Sequence, residues 1–198
     1  MSVDMKLIKE LRAQTSAGIS DCKAALEENN NDFEKAVEYL RKKGLATAEK
    51  KASRETNQGR IEAYIHHDGK LGVLLEVNCE TDFVANNEDF KKLCHRIAMQ
   101  VAINDPEFVN REQVPADRIE KEKQIYRDQM KDSGKPDHVI EKIIEGKLDS
   151  FFSDTCLLEM EDMFDNKKTI EDIVKETIGV IGENMTVKRF ARFKVGEE

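Results

Sequence analysis

The chain has 198 residues, of which 36% are charged and 39% hydrophobic, and its formal net charge is −8. This length suffices for one ordinary domain, or for a small domain beside a larger one, with a buried core. The composition is that of a folded protein and excludes a disordered chain. Because the acidic balance repels nucleic-acid phosphates, we expect a protein partner and no direct nucleic-acid contact.

The sequence has no feature of a membrane or secreted protein. No run approaches the roughly 18 apolar residues of a membrane span, and the first residues, MSVDMKLIKE, lack the apolar core of a signal peptide. The cysteines are unevenly spaced without a CxxC pair, so neither a zinc site nor a disulfide framework is predicted: they are Cys22, Cys79, Cys94 and Cys156. We expect a cytoplasmic protein without membrane contact, metal or cofactor.

Three short helices are predicted within residues 1–44. Ser20 is placed to cap the second helix. Asn31 and Glu34 form a capping-box arrangement at the start of the third helix, and Gly44 supplies its end. Apolar residues of the third helix recur at i, i+3, i+4 and i+7, the spacing of one buried face: Phe33, Ala36, Val37 and Leu40. This pattern predicts a three-helix bundle.

After this bundle the pattern changes twice. Residues 45–58 carry alanines and basic side chains, which predict a linker that is partly helical. Alternating apolar residues then predict two strands within residues 59–78. Between the strands lies Asp68-Gly69, a dipeptide typical of a tight hairpin turn. A third strand is predicted at residues 185–195, and an amphipathic helix that covers the sheet at residues 88–102.

Two long charged helices are predicted at about Ala116–Asp132 and Asp137–Phe152. The short join between them, Ser133-Gly134-Lys135-Pro136, favours an antiparallel helical hairpin at about 116–152. Residues 59–198 are therefore expected to form an α+β core, in which a three-stranded antiparallel sheet is covered by helices and the hairpin projects.

The segment from Val77 to Ala85, VNCETDFVA, connects the second strand with the covering helix. Its one aromatic residue, Phe83, either folds back into the core or is offered to the pocket of a partner. Residue types alone favour the core. Asp82 by itself is typical of a helix cap or a turn.

Taken together, Thr81-Asp82-Phe83-Val84 resembles the TDFV signature of the elongation factor Ts family. Residues 11–26, LRAQTSAGISDCKAAL, resemble the opening motif of that family, and residues 36–44, AVEYLRKKG, are similar to its continuation. Further similar segments follow in order along nearly the whole chain: Ser133-Gly134-Lys135-Pro136, Gly182-Glu183-Asn184 and Arg189-Phe190-Ala191-Arg192-Phe193.

The resemblance implies a guanine nucleotide exchange factor for the GTPase elongation factor Tu in translation elongation. The unit at residues 1–44, similar to ubiquitin-associated domains, would dock on the GTPase. Its contact stretch would include Arg12, Ile19 and Ser20. Thr81, Asp82, Phe83 and Val84 would enter the GTPase, displace Mg²⁺ and release GDP so that GTP can bind. The partner would be met in its GDP-bound and nucleotide-free forms, without a catalytic residue, a cofactor or a metal in the factor.

Three features depart from the family pattern. Gln100 stands where members often have a histidine that assists the intrusion. Residues 158–166, LEMEDMFDN, differ from the usual segment containing Gln-Pro-Phe. Long members carry two related halves in the core, whereas this chain has room for one, and a homodimer would replace the missing half.

Two other functions fit parts of the sequence. A hydrolase would use Cys79 as nucleophile with His66 or His67 as base. Both histidines lie at a predicted turn, however, and no third group is evident to orient them. An adaptor of the ubiquitin-associated type would recognise its partner through residues 1–44 alone, but the similar segments beyond residue 60 argue against it.

Overall fold

The computed structural model describes residues 3–131 and 133–197. Its helices are α1 (Met5–Thr15), α2 (Ile19–Glu28), α3 (Phe33–Lys51), α4 (Asp82–Ala85), α5 (Glu88–Asn104), α6 (Ala116–Met130), α7 (Asp137–Thr155) and α8 (Ile170–Ile181). Its strands are β1 (Gln58–Ile65), β2 (Leu71–Cys79), β3 (Glu161–Asp162), β4 (Asp165–Thr169) and β5 (Met185–Lys194). The predicted α+β class is confirmed. Within the described ranges, no helix is long and apolar enough to cross a membrane.

Strands β1, β2 and β5 form one antiparallel sheet with β2 in the middle, as the sequence predicts. At the β1–β2 turn Gly69 adopts a φ of 68°, which favours glycine. The amide of His66 donates to the carbonyl of Leu71 at 2.8 Å, closing the predicted hairpin. A second sheet, in which β3 and β4 pair antiparallel, was not predicted from the sequence.

The chain divides into two compact units. The first comprises Met1–Arg60, Val77–Cys94 and Asp172–Thr186. The second comprises Ile61–Glu76, His95–Glu171 and Val187–Glu198. The predicted division into residues 1–44, 45–58 and 59–198 stays a prediction.

In the first unit, helices α1, α2 and α3 bury a common apolar cluster, as the helical spacing predicts. The buried members are Ile8, Leu11, Cys22, Ala25, Leu26, Ala36 and Leu40, with Phe33 and Val37 packed against them. Two predicted caps are wrong by one or two residues. Gly18, rather than Ser20, precedes α2. Asp32, rather than Asn31, caps α3, because its carboxylate accepts the amide of Lys35 at 3.1 Å.

Helix α3 runs through Gly44, where a helix end was predicted, and continues to Lys51. A Cβ on Gly179 of α8 would lie 2.5 Å from the Cα of Gly44, so the two helices touch backbone to backbone. Arg41 adds an ion pair with Glu176 at 3.4 Å. The predicted end is therefore wrong, since Gly44 permits a close helix crossing and the first part of the predicted linker is helical.

In the second unit, α6 and α7 form the predicted helical hairpin. The buried residues of its cluster include Ile144, Leu148, Phe151 and Phe152, and Ile119, Tyr126 and Ile140 pack against them. Helix α6 ends at Met130 and α7 extends to Thr155. Asp132, where the end of the first hairpin helix was predicted, lies outside the described residues.

Candidate partner-binding site

The loop after β2 forms a single helical turn, α4, that presents Phe83 to solvent. The hydroxyl of Thr81 caps this turn by accepting the amide of Val84 at 3.4 Å. Val84 and Ala85 are buried, whereas Phe83 is 84% exposed. The burial of Phe83 that residue types alone favour is therefore wrong. Buried neighbours fix the turn, and the aromatic ring projects from it.

Glu183, in the connection between α8 and β5, holds Thr81 with both oxygens of its carboxylate. The amide of Thr81 donates to Oε2 at 3.0 Å, and the hydroxyl of Thr81 donates to Oε1 at 2.7 Å. A hydroxyl has one proton and two lone pairs. With its proton on Glu183, the Thr81 oxygen keeps lone pairs for the amide of Val84.

A second set of bonds joins the neighbouring residues. The amide of Asn184 donates to Glu80 Oε1 at 2.7 Å, and Arg54 Nη1 donates to Glu80 Oε2 at 3.3 Å. The bond from Asn184, with the help of Arg54, lowers the pKa of Glu80. Its contribution to stability is therefore present at neutral pH and is lost as the pH falls through that lowered pKa.

The side chain of Asn184 reaches the chain just after α3. Its Nδ2 donates to the carbonyl of Arg54 at 2.8 Å and to that of Ala52 at 3.3 Å. Asn184 is only 3% exposed. Three segments far apart in sequence therefore meet: residues 52–54, 80–81 and 183–184, which we name the loop junction.

The loop junction was not predicted from the sequence. Gly182-Glu183-Asn184 stood out only for its resemblance to a family segment, without a predicted contact. Glu183 and Thr81 are 102 positions apart, and no periodicity or motif links residues at such a distance. The available signal was a pair of polar residues directly beyond the end of a helix.

The rival catalytic interpretation has no support at Cys79. The thiol is buried and donates to the carbonyl of Thr81 at 3.1 Å. Burial, followed by the charge of Glu183, raises its pKa to about 11, which makes it a poor nucleophile. His66 bonds through Nδ1 to the hydroxyl of Tyr64 at 3.0 Å. Across residues 3–131 and 133–197, no cluster of three or more acidic, His or Cys side chains is placed to hold a metal.

The residues expected to dock on the partner lie at the surface of α1 and α2. Arg12 is exposed near the end of α1, and Ser20 is exposed in the first turn of α2. Ile19 leaves 54% of its surface in water, which is unusual for an isoleucine that begins a helix of a packed bundle. Both predicted groups, this one and Thr81–Val84, belong to the first unit.

Two of the three departures from the family pattern, Gln100 and residues 158–166, meet in the second unit. Gln100 is fully buried. Its Nε2 donates to the carbonyl of Glu161 at 2.9 Å, and its Oε1 accepts the amide of Met163 at 3.0 Å. The glutamine of α5 thus binds the backbone of the β3–β4 turn, which lies within the divergent stretch 158–166.

An ion pair fixes the same turn. The buried carboxylate of Asp162 accepts from Arg96 Nε at 2.7 Å and also bonds to Nη2. It accepts the amides of Phe164 and Asp165 as well. Burial alone would raise the pKa of Asp162, but Arg96 and the two amides lower it overall. The guanidinium of Arg96 lies 5.2 Å from the centroid of the exposed Phe164 ring.

Comparison with known proteins finds similarity over nearly the whole chain. A sequence model of the family described as "Elongation factor TS" matches residues 5–197. The elongation factor Ts of Fervidobacterium nodosum is 60% identical over 197 residues, covering both chains completely. That of Thermosipho melanesiensis is 59% identical and covers 98% of this chain and all of its own. That of Geobacter sulfurreducens is 52% identical over this whole chain and 91% of its own.

Proposed function

The chain belongs to the elongation factor Ts family, and from that premise we propose that it is the guanine nucleotide exchange factor of elongation factor Tu. It binds the GDP form of this GTPase, displaces Mg²⁺ and promotes the release of GDP, so that GTP can bind. The observation that carries the proposal is the Phe83 side chain, which is 84% exposed although the next two residues of the same turn, Val84 and Ala85, are buried.

An exposed aromatic ring on a fixed turn is suited to insertion into another protein. Burying a phenylalanine is favourable, and aromatic residues dominate the binding energy of protein interfaces. A GTPase holds its diphosphate through Mg²⁺ and a loop of backbone amides whose geometry tolerates little displacement. A ring that enters beside these groups, with Asp82 next to it, weakens the binding of GDP to the GTPase. No covalent step in the factor is needed.

Exchange also follows from linkage. The factor accelerates GDP release when it binds the nucleotide-free GTPase more tightly than the GDP form. In that case the factor and the nucleotide each weaken the binding of the other to the GTPase by the same coupling free energy. Arg12, Ile19 and Ser20 supply contacts that do not depend on the nucleotide. Thr81–Val84 supply the contacts that compete with Mg²⁺ and phosphate.

Replacement of Phe83 by alanine separates these two roles. We expect Phe83→Ala to lower the maximal rate of GDP release about 30-fold, the rate equivalent of the roughly 2 kcal/mol that an interface hot spot contributes. Ile19→Ala should instead raise the concentration of factor needed for half-maximal rate. The measurement is the release of a fluorescent GDP analogue from elongation factor Tu with substoichiometric factor.

Phe164→Ala is the matched control, because Phe164 is a second exposed phenylalanine outside the predicted contacts. Its maximal rate should equal that of the unaltered protein. If Phe83→Ala released GDP as fast as the unaltered protein, insertion of the ring would not be the mechanism. If the unaltered protein did not accelerate release at all, the proposed function itself would be wrong.

We also propose that the protein forms a homodimer through one face of the sheet of β1, β2 and β5. This outer face is defined by apolar side chains of the second unit that are all at least 48% exposed: Ile61, Ile65, Leu74, Phe193 and Val195. A contiguous apolar patch on a soluble protein marks an interaction surface. Because these side chains are uncharged, a second copy can approach despite the net charge of −8.

A further inference from the structure

We propose that Glu183 is a positioning residue, which holds the Phe83 turn in the conformation that enters the GTPase. The inference rests on the proposed exchange function and assigns a role to a residue outside the TDFV segment. Glu183 does not reach the partner in this proposal. It acts through Thr81.

The α4 turn needs such support because it is too short to be stable alone. It has four residues, and a helix of one turn fixes more backbone angles than its hydrogen bonds repay. The amides of its first turn require acceptors. Thr81 provides one for Val84, but only while its own proton points elsewhere. The carboxylate of Glu183, at 2.7 Å from that hydroxyl, directs the proton away from Val84.

The bonds of the loop junction are reciprocal. The side chain of Glu183 accepts the amide of Thr81, and the side chain of Glu80, next to Thr81, accepts the amide of Asn184, next to Glu183. Neither segment can shift along the other without breaking both bonds. The Phe83 turn is thus fixed against the connection between α8 and β5.

Asn184 extends this arrangement to the end of α3 through its bonds to the carbonyls of Ala52 and Arg54. Helix α3 belongs to the three-helix bundle that carries the docking residues Arg12, Ile19 and Ser20. The bundle that docks and the turn that inserts are therefore tied to the same pair of residues, 183–184. A turn that is ordered before binding pays less ordering entropy when it enters a pocket.

Glu183→Gln tests the inference with almost no change in shape. A carboxylate offers two acceptor oxygens, whereas an amide offers one acceptor and one donor. With the Thr81 hydroxyl proton in its present orientation, the one acceptor oxygen of the glutamine can accept from the amide or from the hydroxyl of Thr81, but not from both. Thr81→Val is the second variant, because it removes the hydroxyl and keeps the side-chain volume.

We expect Glu183→Gln to lower the maximal rate of GDP release about tenfold, the rate equivalent of one hydrogen bond to a charged group. The factor concentration for half-maximal rate should change less than twofold, since the docking residues are untouched. In a Phe83→Ala background, Glu183→Gln should lower the rate no further, because its effect passes through that ring. Glu107→Gln, at an exposed ion pair with Arg118, is the matched control and should keep the full rate.

Hydrogen exchange of the Thr81 and Val84 amides, followed by NMR in the intact chain, is the second readout. Both amides should exchange faster in Glu183→Gln while the melting temperature falls by no more than a few degrees. Unchanged hydrogen-exchange protection of these two amides in Glu183→Gln would overturn the inference. This outcome does not depend on whether the protein releases GDP.

The inference would also be overturned if Glu183→Gln released GDP at the full rate, or if it lowered GDP release tenfold again in the Phe83→Ala background. Either result would leave the proposed function standing.

Discussion

At the scale of single residues, the thiol of Cys79 lies beside the proposed insertion loop but is not a reactive group. Burial raises its pKa to about 11, so very little of the thiol is ionised at neutral pH, and the thiolate is the form that reacts. We expect iodoacetamide to modify Cys79 at least about a hundredfold more slowly in the folded protein than in urea. Mass spectrometry of the peptide that contains Cys79 measures both rates.

Cys79→Ser provides the functional half of this test. The serine keeps a donor for the carbonyl of Thr81, to which the thiol donates at 3.1 Å, and GDP release should continue at the rate of the unaltered protein. A catalytic nucleophile would be alkylated rapidly, and its replacement by serine would abolish the activity that depends on it. Rapid alkylation of Cys79 in the folded protein, together with loss of GDP release in Cys79→Ser, would therefore support a catalytic role for this thiol.

Phe83 shows where reasoning from residue types ends. An aromatic residue in a short loop is more often buried than exposed, yet this ring is 84% exposed. Its exposure depends on the burial of Val84 and on the bonds from Glu183, which come from elsewhere in the chain. The resemblance to a family predicts the ring as a contact, whereas the bonds that hold its turn are visible only in the structure.

At the scale of elements, Gln100 and the β3–β4 turn form one structural feature. The glutamine matches a carbonyl and an amide that are two residues apart, with one donor and one acceptor. A histidine at this position, as the family pattern would have it, cannot reach both groups with the same geometry. We expect Gln100→His to lower the free energy of unfolding by about 2 kcal/mol, because a buried backbone group loses its partner. Urea denaturation followed by circular dichroism measures it.

Gln124→His is the control for this substitution, since Gln124 is exposed on α6 and should change stability by no more than about 0.5 kcal/mol. Equal stability of Gln100→His and the unaltered protein would show that the two bonds contribute nothing. The denaturant slope should stay constant in both variants, because the area exposed on unfolding is the same.

Periodicity predicted the long elements and failed at their ends. The apolar spacing of α3, α5 and β2 reflects burial that runs along a whole element, so it is visible in the sequence. Gly44 misled the prediction, because a glycine that ends a helix and one that permits a helix crossing look alike until the facing Gly179 is known. Strand β4, Asp165–Thr169, has no apolar alternation that would predict it. The turn before it is fixed by the Gln100 side chain and the Arg96–Asp162 pair. These contacts join residues far apart in sequence and become visible only in the structure.

At the scale of the whole molecule, the charge and the outer sheet face act in opposite directions. The net charge of −8 keeps copies apart at long range, and salt screens this repulsion beyond about 8 to 10 Å. The outer face contributes only at contact, where its apolar area leaves water. The balance predicts a dimer that strengthens when salt is added, which is the opposite of an association through ion pairs.

Introducing a charge on this face tests the dimer. Leu74→Glu and Phe193→Glu each place a carboxylate on the patch, so that two facing copies would bury like charges, and we expect both variants to sediment as monomers where the unaltered protein sediments as a dimer. Phe164→Glu introduces the same charge at an exposed phenylalanine on the β3–β4 turn and should leave the dimer intact. If the unaltered protein sedimented as a monomer at high concentration and in added salt, the dimer proposal would be wrong.

Phe83 lies outside the outer face. Replacing Phe83 by alanine should therefore lower GDP release in the monomeric variants as it does in the unaltered protein.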